Sequence, residues 1–365
     1  ILYILMKIRD RYIAKTLLSY TIIVLVVWIS IYSFFNFLAE LNSVGKEGYT
    51  ILSALTYIIL QLPEVVYKQA SPIILLGCIL GMGHLATTGQ LLIFRVSGAS
   101  ILKITLLTLK NSLIFLFFFI LLGEFLAPIS SNFAESSRSN AMGNSSVSIN
   151  QEGFWIRDGD NFINVKRNID GKLFSGITVI EVNSSNKIER VIKSKNALFD
   201  GGSLDMSGSE IFSINESSSF DRISLKERNS YNKIVSFDED LIDSLEKEPD
   251  DLSTWTLIKQ IRFLSDNKLR SGVFEVELYK RLIQPITLIA MILLAMLFIF
   301  GSSRDVTLGR KIFFGVALGL SFEMLSRVAS AMSLGLDFSP FLSSILPSVI
   351  VMFISIILLI KKSFS

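Results

Sequence analysis

Six stretches of this chain, residues 17–38, 66–86, 101–126, 282–300, 312–332 and 341–360, are mostly apolar. Each runs for about 20 residues, the length a helix needs to cross the hydrocarbon core of a bilayer. In lipid a backbone must satisfy its own hydrogen bonds, so stretches like these fold as membrane-spanning helices. The run 51–86 is too long for one straight span, and Pro63 and Pro72 cut it. Residues 51–62 read as an interfacial or half-inserted helix, which leaves 66–86 as the second span. The third span ends at Glu124 and Pro128. Half of all residues are hydrophobic and the mean hydropathy is +0.53, as expected for several spans joined to a polar part. The first apolar run is too long for the core of a signal peptide, and no A-x-A pattern follows it. It is expected to stay as an anchor, with Met6 a candidate start.

The polar part lies between spans three and four. From about 130 to 272 the chain is rich in Ser, Asn, Asp and Lys. Short alternating segments around Trp155, Ile163, Ile177 and Ile188 are separated by turn chemistry at Asp158-Gly159-Asp160-Asn161, Asp170-Gly171 and Asp200-Gly201-Gly202. Strands at this spacing predict an antiparallel β domain. The stretch 241–269 looks helical, with Ser253 a candidate N-cap before Trp255 and Leu257. The expected organisation is therefore 1–128 (spans one to three), 129–272 (β domain with a helical return) and 273–365 (spans four to six).

Orientation follows from Lys and Arg in the short loops. One side carries Lys7, Arg9, Arg11, Lys15, Arg95, Lys103, Arg304, Arg310, Lys311, Lys361 and Lys362; the other carries Lys46. Both termini and the loop between spans two and three are expected in the cytoplasm, and the β domain on the far side. That loop, GMGHLATTGQLLIFRVSGAS from Gly81 to Ser100, is amphipathic. Leu85, Leu91, Leu92 and Phe94 offer apolar contacts, and Thr87, Thr88, Gln90, Arg95 and Ser97 polar ones, with Gly89 and Gly98 as punctuation. It reads as a short helix at the inner membrane surface, the natural handle for a cytoplasmic motor.

Several chemistries are excluded. The chain has no GxxxxGK[ST] loop, so it does not hydrolyse ATP that way. Its single histidine, His84, rules out a Ser-His-Asp triad in the β domain and an HExxH zinc site; a packing role and a proton relay both stay open for it. One cysteine, Cys78, rules out an internal disulfide and reads as core packing. The net charge of +3 is spread over short loops, which argues against nucleic-acid binding. Glu323 and Arg327 stand four apart in span five, with the acid first, the better order for an ion pair. They are either a self-neutralising pair at a helix contact or a polar contact at a moving interface. Gly315 and Gly319, and Gly77, Gly81 and Gly83, form small-residue stripes that let helices approach closely. The sequons at Asn144 and Asn183 carry no weight.

Specific stretches then point to a family. They are Asp10-Arg11-Tyr12-Ile13; the glycine stripe leading into LLIFRVSGAS; Gly123-Glu124 with Ala127-Pro128; GFWIRDGDNF from Gly153; Gln284-Pro285; the end of span four with Gly301, Arg304 and Leu308-Gly309; and Leu346-Pro347-Ser348. In this order, across six spans with one β domain after the third, they resemble the LptF/LptG permeases of the lipopolysaccharide exporter. GFWIRDGDNF and Gln284-Pro285 favour the LptG branch. The resemblance implies a fold of six transmembrane helices with an inserted periplasmic β-jelly-roll domain in the inner membrane of a Gram-negative bacterium. It implies a non-enzymatic subunit that binds no cofactor itself. LptF would be its pair, an LptB dimer would use ATP and Mg, LptC would be a further subunit, and the bridge protein LptA would receive lipopolysaccharide. Residues about 84–98 match the coupling helix, which assigns ATPase coupling to Leu85, Gln90, Leu91, Leu92, Phe94, Arg95 and Gly98. Lys46, Arg138, Trp155 and Ile163 are candidates for the substrate path.

The sequence departs from the family twice. Relatives usually carry an acid where Gln90 stands, so a charge-assisted contact becomes a neutral hydrogen bond, roughly half as strong. Lysines near the outer end of span one are replaced by Asn36, Asn42 and Ser43, leaving Lys46 nearby and Arg138 at another basic position. Burying one acyl CH₂ is worth about 0.8 kcal/mol, so a lipid with several chains needs an apolar path outside the bilayer. Trp155, Ile163 or Ile177 is expected to face that path. The alternatives are an LptF-type paralogue, a lipid- or peptide-acting membrane enzyme, for which the lone His84 is a poor start, and a scaffold with a periplasmic domain that needs no coupling helix.

Overall fold

A computed structural model describes residues 8–46, 48–142, 154–168, 172–183, 187–217, 220–238, 241–242, 248–301, 308–336 and 338–364. Met6, Lys7, Gly153, Asp170-Gly171, Arg304 and the sequon at Asn144 lie outside them. The described residues fall into two compact units. One lies within Ile1–Val44, Ala54–Ala134 and Glu275–Ser365, the other within Gly45–Ser53 and Glu135–Phe274.

The first unit is helical. Its apolar helices are α1 (Ile8–Glu40), α2 (Ile51–Lys68), α3 (Ala70–Thr87), α5 (Ile101–Leu121), α8 (Gly272–Gly301), α9 (Leu308–Gly335) and α10 (Pro340–Phe364), with the short α4 (Gln90–Val96) between α3 and α5. Seven of the described helices are long and apolar enough to cross a membrane, α2 among them. Only Gln69 separates α2 from α3, and the helical bonds run through it: Gln69 N–H donates to Val65 O at 3.0 Å and Ile73 N–H to Gln69 O at 3.2 Å. Pro72 lacks the N–H that Lys68 O would receive, which accounts for a break here without a loop. One residue gives the chain no room to reverse. The two 18-residue helices, each about 27 Å long, therefore follow one another with a single residue between them.

The helix expected as the third span does not stop at Pro128. After α5 the chain makes one π turn, Leu122–Leu126, in which Ala127 N–H donates to Leu122 O, and continues as α6 (Ala127–Ala141). The widened turn comes two residues before Pro128, whose ring would press on the carbonyl of the preceding turn in a regular α-helix. Residues 129–141, expected in the β domain, are thus helical.

Helix α3 is the core of this unit, with Ile73, Ile74, Leu75, Ile79, Met82 and Leu85 all buried. On one flank α1 packs so closely that a Cβ on Gly77 would overlap the Thr21 hydroxyl, and one on Gly81 would meet Leu17. On the other flank α9 does the same: a Cβ on Gly315 would lie 2.7 Å from Leu76 Cδ2, and one on Gly319 would lie 3.4 Å from Pro72 Cβ. The small-residue stripes are therefore packing seams within the chain.

The second unit contains one six-stranded antiparallel sheet: β1 (Phe154–Asp158), β2 (Asn161–Asn168), β3 (Leu173–Val182), β4 (Ile188–Phe199), β5 (Ser203–Ser217) and β6 (Phe220–Ile234). Every strand pairs with its neighbour in sequence, so the inserted β domain takes the form of a meander. One face carries Ile156, Ile163, Ile177, Val179, Ile192 and Met206, and Val235, Phe237 and Ile242 from the segment after β6 join that core. Helix α7 (Thr254–Asp266) follows, and Ser253 caps it by accepting the Thr256 N–H. The Asp158-Gly159-Asp160-Asn161 turn is fixed from both ends. Asn267 Oδ1 accepts the Gly159 N–H at 2.8 Å, and Asp158 accepts both N–H and O–H of Ser236.

Candidate functional site

The most constrained short segment lies between α3 and α5. Gly89 at φ +75° opens α4 and Gly98 at φ +86° closes it. A Cβ at either position would meet no described residue within 4 Å, so glycine is there for the left-handed backbone. The end of α4 is a Schellman motif: Ala99 N–H donates to Phe94 O at 3.1 Å and Gly98 N–H to Arg95 O at 3.0 Å. Ser100 then caps α5 by accepting the Lys103 N–H at 3.2 Å. At the other end, Thr88 Oγ1 donates to His84 O and Thr87 Oγ1 to Gly83 O. Local chemistry at both ends fixes the seven residues of α4 at a corner between two long helices.

The corner divides the expected docking residues. Leu85 and Leu91 are buried and Phe94 packs against the core, so they hold α4 down. Leu92, Arg95 and Gly98 face outward. Gln90 is half-buried, and its Oε1 has no hydrogen-bond partner among the described residues. The outward apolar surface belongs mainly to two residues that sequence reasoning passed over, Ile93 (66% exposed) and Val96 (80% exposed). In LLIFRV nearly every position is apolar, so no periodicity reports which face looks out. Only the Gly89 turn sets the phase.

The other expected residues are dispersed. Lys46 is exposed on the turn after α1. Arg138 pairs with Glu135 one turn earlier on α6, at 3.7 Å. Trp155 is 58% exposed while Ile163 is fully buried. Register explains this: Trp155 stands opposite Asn164, and Ile156 opposite Ile163. Neighbouring residues on a strand point to opposite faces, so Trp155 and Ile163 cannot line one groove, and Ile177 shares the buried face with Ile163. Glu323 and Arg327 do pair, Nε to Oε1 at 3.3 Å, but with side chains 39% and 73% exposed they sit on the outer face of α9.

Three motifs find structural roles. Gln284 Nε2 donates to Tyr67 O at 3.2 Å, and Gly123 leaves space that the Tyr67 ring fills, so Gln284 and Gly123 meet at one tyrosine. The start of α1 is tied to α5, because Asn111 Nδ2 donates to Asp10 O at 3.2 Å and Lys110 lies 3.6 Å from the Asp10 carboxylate. Among the described residues, no cluster of three or more His, Cys, Asp and Glu is placed to hold a metal ion.

Comparison with known proteins adds to this geometry. The profile of the family described as "Lipopolysaccharide export system permease LptF/LptG" matches residues 11–361. The chain is 26% identical over 359 residues to the lipopolysaccharide export system permease protein LptG of Escherichia coli, covering 97% of this chain and 98% of that protein. It is 27% identical over 342 residues to the protein of the same name from Haemophilus influenzae, covering 93% of this chain and 95% of that one.

Proposed function

The chain belongs to the LptF/LptG family of lipopolysaccharide export permeases, and from that premise we propose that it is the LptG-type subunit of an ATP-driven lipopolysaccharide exporter. It pairs with LptF, and an LptB dimer hydrolyses ATP on its cytoplasmic side. LptC completes the complex and LptA accepts the lipid. Both termini and α4 are cytoplasmic and the β domain is periplasmic, the arrangement the loop charges favour. The observation that carries this reading is α4 itself. It is a rigid corner whose outward face is Leu92, Ile93 and Val96 beside Arg95. Exposed aliphatic side chains on a fixed element, rimmed by a cation, suit a protein groove. A spanning helix joins the corner on each side, so a push on α4 is passed into the membrane. The chain itself supplies no hydrolytic chemistry.

The test is to coexpress the chain with LptF, LptB and LptC and measure retained LptB, ATP hydrolysis and bound lipopolysaccharide. Ile93→Asp places a charge on the outward face, and retained LptB is expected to fall by about tenfold or more, as for loss of an interface anchor. Leu91→Asp, inside the corner, is expected to lower the yield of the whole chain. Gln90→Glu is expected to raise ATPase coupling by restoring a charged acceptor. Full LptB retention in an Ile93→Asp, Val96→Asp double variant would sink α4 as the docking face. A wild-type complex free of lipopolysaccharide would sink the permease reading.

A further inference from the structure

We propose that Lys311 is a positioning residue that couples movement of α4 to α9, by tying the base of the α4 corner to that helix. The inference rests on reading α4 as the surface on which an ATPase acts.

Lys311, Gly315 and Gly319 recur every four residues, so they form one stripe along α9. Opposite them on α3 stand Gly83, Leu76 and Pro72, in antiparallel order. Two of these three contacts are apolar and non-directional. At Gly315 the neighbours are Leu76 Cδ2 and Ile79 Cδ1, and at Gly319 they are Pro72 Cβ and Leu75 Cδ2. Surfaces of that kind can slide past one another at little cost. The third contact is different. Lys311 is 6% exposed, and its Nζ donates to Gly83 O at 3.2 Å. A cation at the last turn of a helix is favoured by the helix dipole and by the carbonyls gathered there. It is also directional, so it follows its acceptor.

The acceptor is well chosen for such a link. Gly83 O also receives the Thr87 hydroxyl at 3.1 Å, and five residues beyond it lies Thr88, the last before the Gly89 turn. A Cβ on Gly83 would crowd the lysine, lying 3.3 Å from both Cδ and Nζ of Lys311. The lysine stem therefore crosses the helix contact over a glycine and ends on a carbonyl about one turn before the corner. On the opposite flank, Tyr20 of α1 lies against His84 with ring centroids 5.3 Å apart. A displacement of α4 meets a directional grip on α9 and a ring contact on α1 within the same turn of α3.

The experiment uses the complete complex in proteoliposomes containing lipopolysaccharide, with ATP hydrolysis and ATP-dependent lipid release measured together. Lys311→Met keeps most of the stem and removes the donor. ATP hydrolysis is expected to stay within about twofold, and lipid released per ATP to fall by roughly fivefold or more, the scale of a lost coupling between sites. Lys311→Arg keeps a donor and is expected to restore the ratio. Spin labels at Lys103→Cys, exposed just past the corner, and Phe313→Cys, in a Cys78→Ala background, should change separation with ATP in the parent and stop doing so with Lys311→Met. Gly83→Ala, which crowds the lysine, gives the same readouts should Lys311→Met fail to assemble. Unchanged lipid per ATP in the variant that assembles overturns the inference. So does an equal fall of hydrolysis and release in both Lys311→Met and Lys311→Arg, which marks an ordinary structural cap. A parent complex without ATP-dependent release overturns the permease reading beneath it, a result distinguishable from either.

Discussion

Glycine positions separate two physical demands that look alike in the sequence. Gly123 lies in the π turn after α5, and a Cβ there would overlap the Tyr67 ring. Gly98 has open space around it but sits at φ +86°. Gly123→Ala is an overpacking change, and it is expected to destabilise the detergent-solubilised chain by about 1–3 kcal/mol, seen as a lower melting temperature. Adding Tyr67→Ala should recover part of that loss if the ring is the cause. Gly98→Ala is a backbone change of about 1 kcal/mol, and no neighbouring truncation should relieve it. A recovery of Gly98→Ala by truncating a neighbour would show that the open space is not open. The sequence marked Gly98 as punctuation and Gly123 as part of a motif. It could not tell strain from crowding, because crowding depends on Tyr67, a residue from another helix.

At the scale of elements, what was legible followed from local rules. The apolar runs gave the long helices, alternation with turn residues gave the β domain, and Ser253 gave the start of α7. Where a second element decides, the sequence fell short. The helix expected as the third span runs past Pro128, which reads as a stop. A widened turn at Leu122–Leu126, just before it, lets the helix continue. Likewise, the outward face of α4 depends on the phase set by Gly89, so Ile93 and Val96 went unremarked beside Leu91. In the β domain, Trp155 and Ile163 were grouped by hydrophobicity, whereas their register puts them on opposite faces. The turn at Gly159 offers a prediction on this scale. Asn267 Oδ1 accepts the Gly159 N–H and its Nδ2 donates to Phe263 O, so one side chain joins the β1–β2 turn to the end of α7. Asn267→Ala removes both bonds, at a cost of about 1 kcal/mol or somewhat more. Amide exchange in the full chain should speed up at Gly159 and leave the centre of β3 and β4 unchanged. Unaltered exchange at Gly159 would mean that the turn holds itself.

For the whole molecule, the constraint that matters is what lipid tolerates. Seven of the described helices are long and apolar enough to cross a membrane, and the interior of the helical unit is occupied by α3. The helices around it expose long apolar faces, such as Ile22, Val26, Phe34 and Phe35 on α1 and Phe313, Leu320 and Met324 on α9. On that otherwise apolar outer face of α9 stands the Glu323–Arg327 pair, roughly 22 Å along the helix by its rise per residue. An unpaired charge at such depth costs about 2.5–3.5 kcal/mol even on the mildest scales, so the pair's first job is to neutralise itself. Glu323→Gln strips Arg327 of that partner. Membrane-integrated chain, or LptF recovered with it, is expected to fall severalfold, and Glu323→Arg combined with Arg327→Glu should restore it, since the exchange keeps the pair. If Glu323→Gln assembles and exports like the parent, this face of α9 meets water rather than lipid or protein, and the pair marks the wall of a wet cavity. If the exchanged pair fails where the parent succeeds, the order of the charges is being read by a neighbouring chain. Either deviation would move the pair from self-neutralisation to contact with something outside the chain.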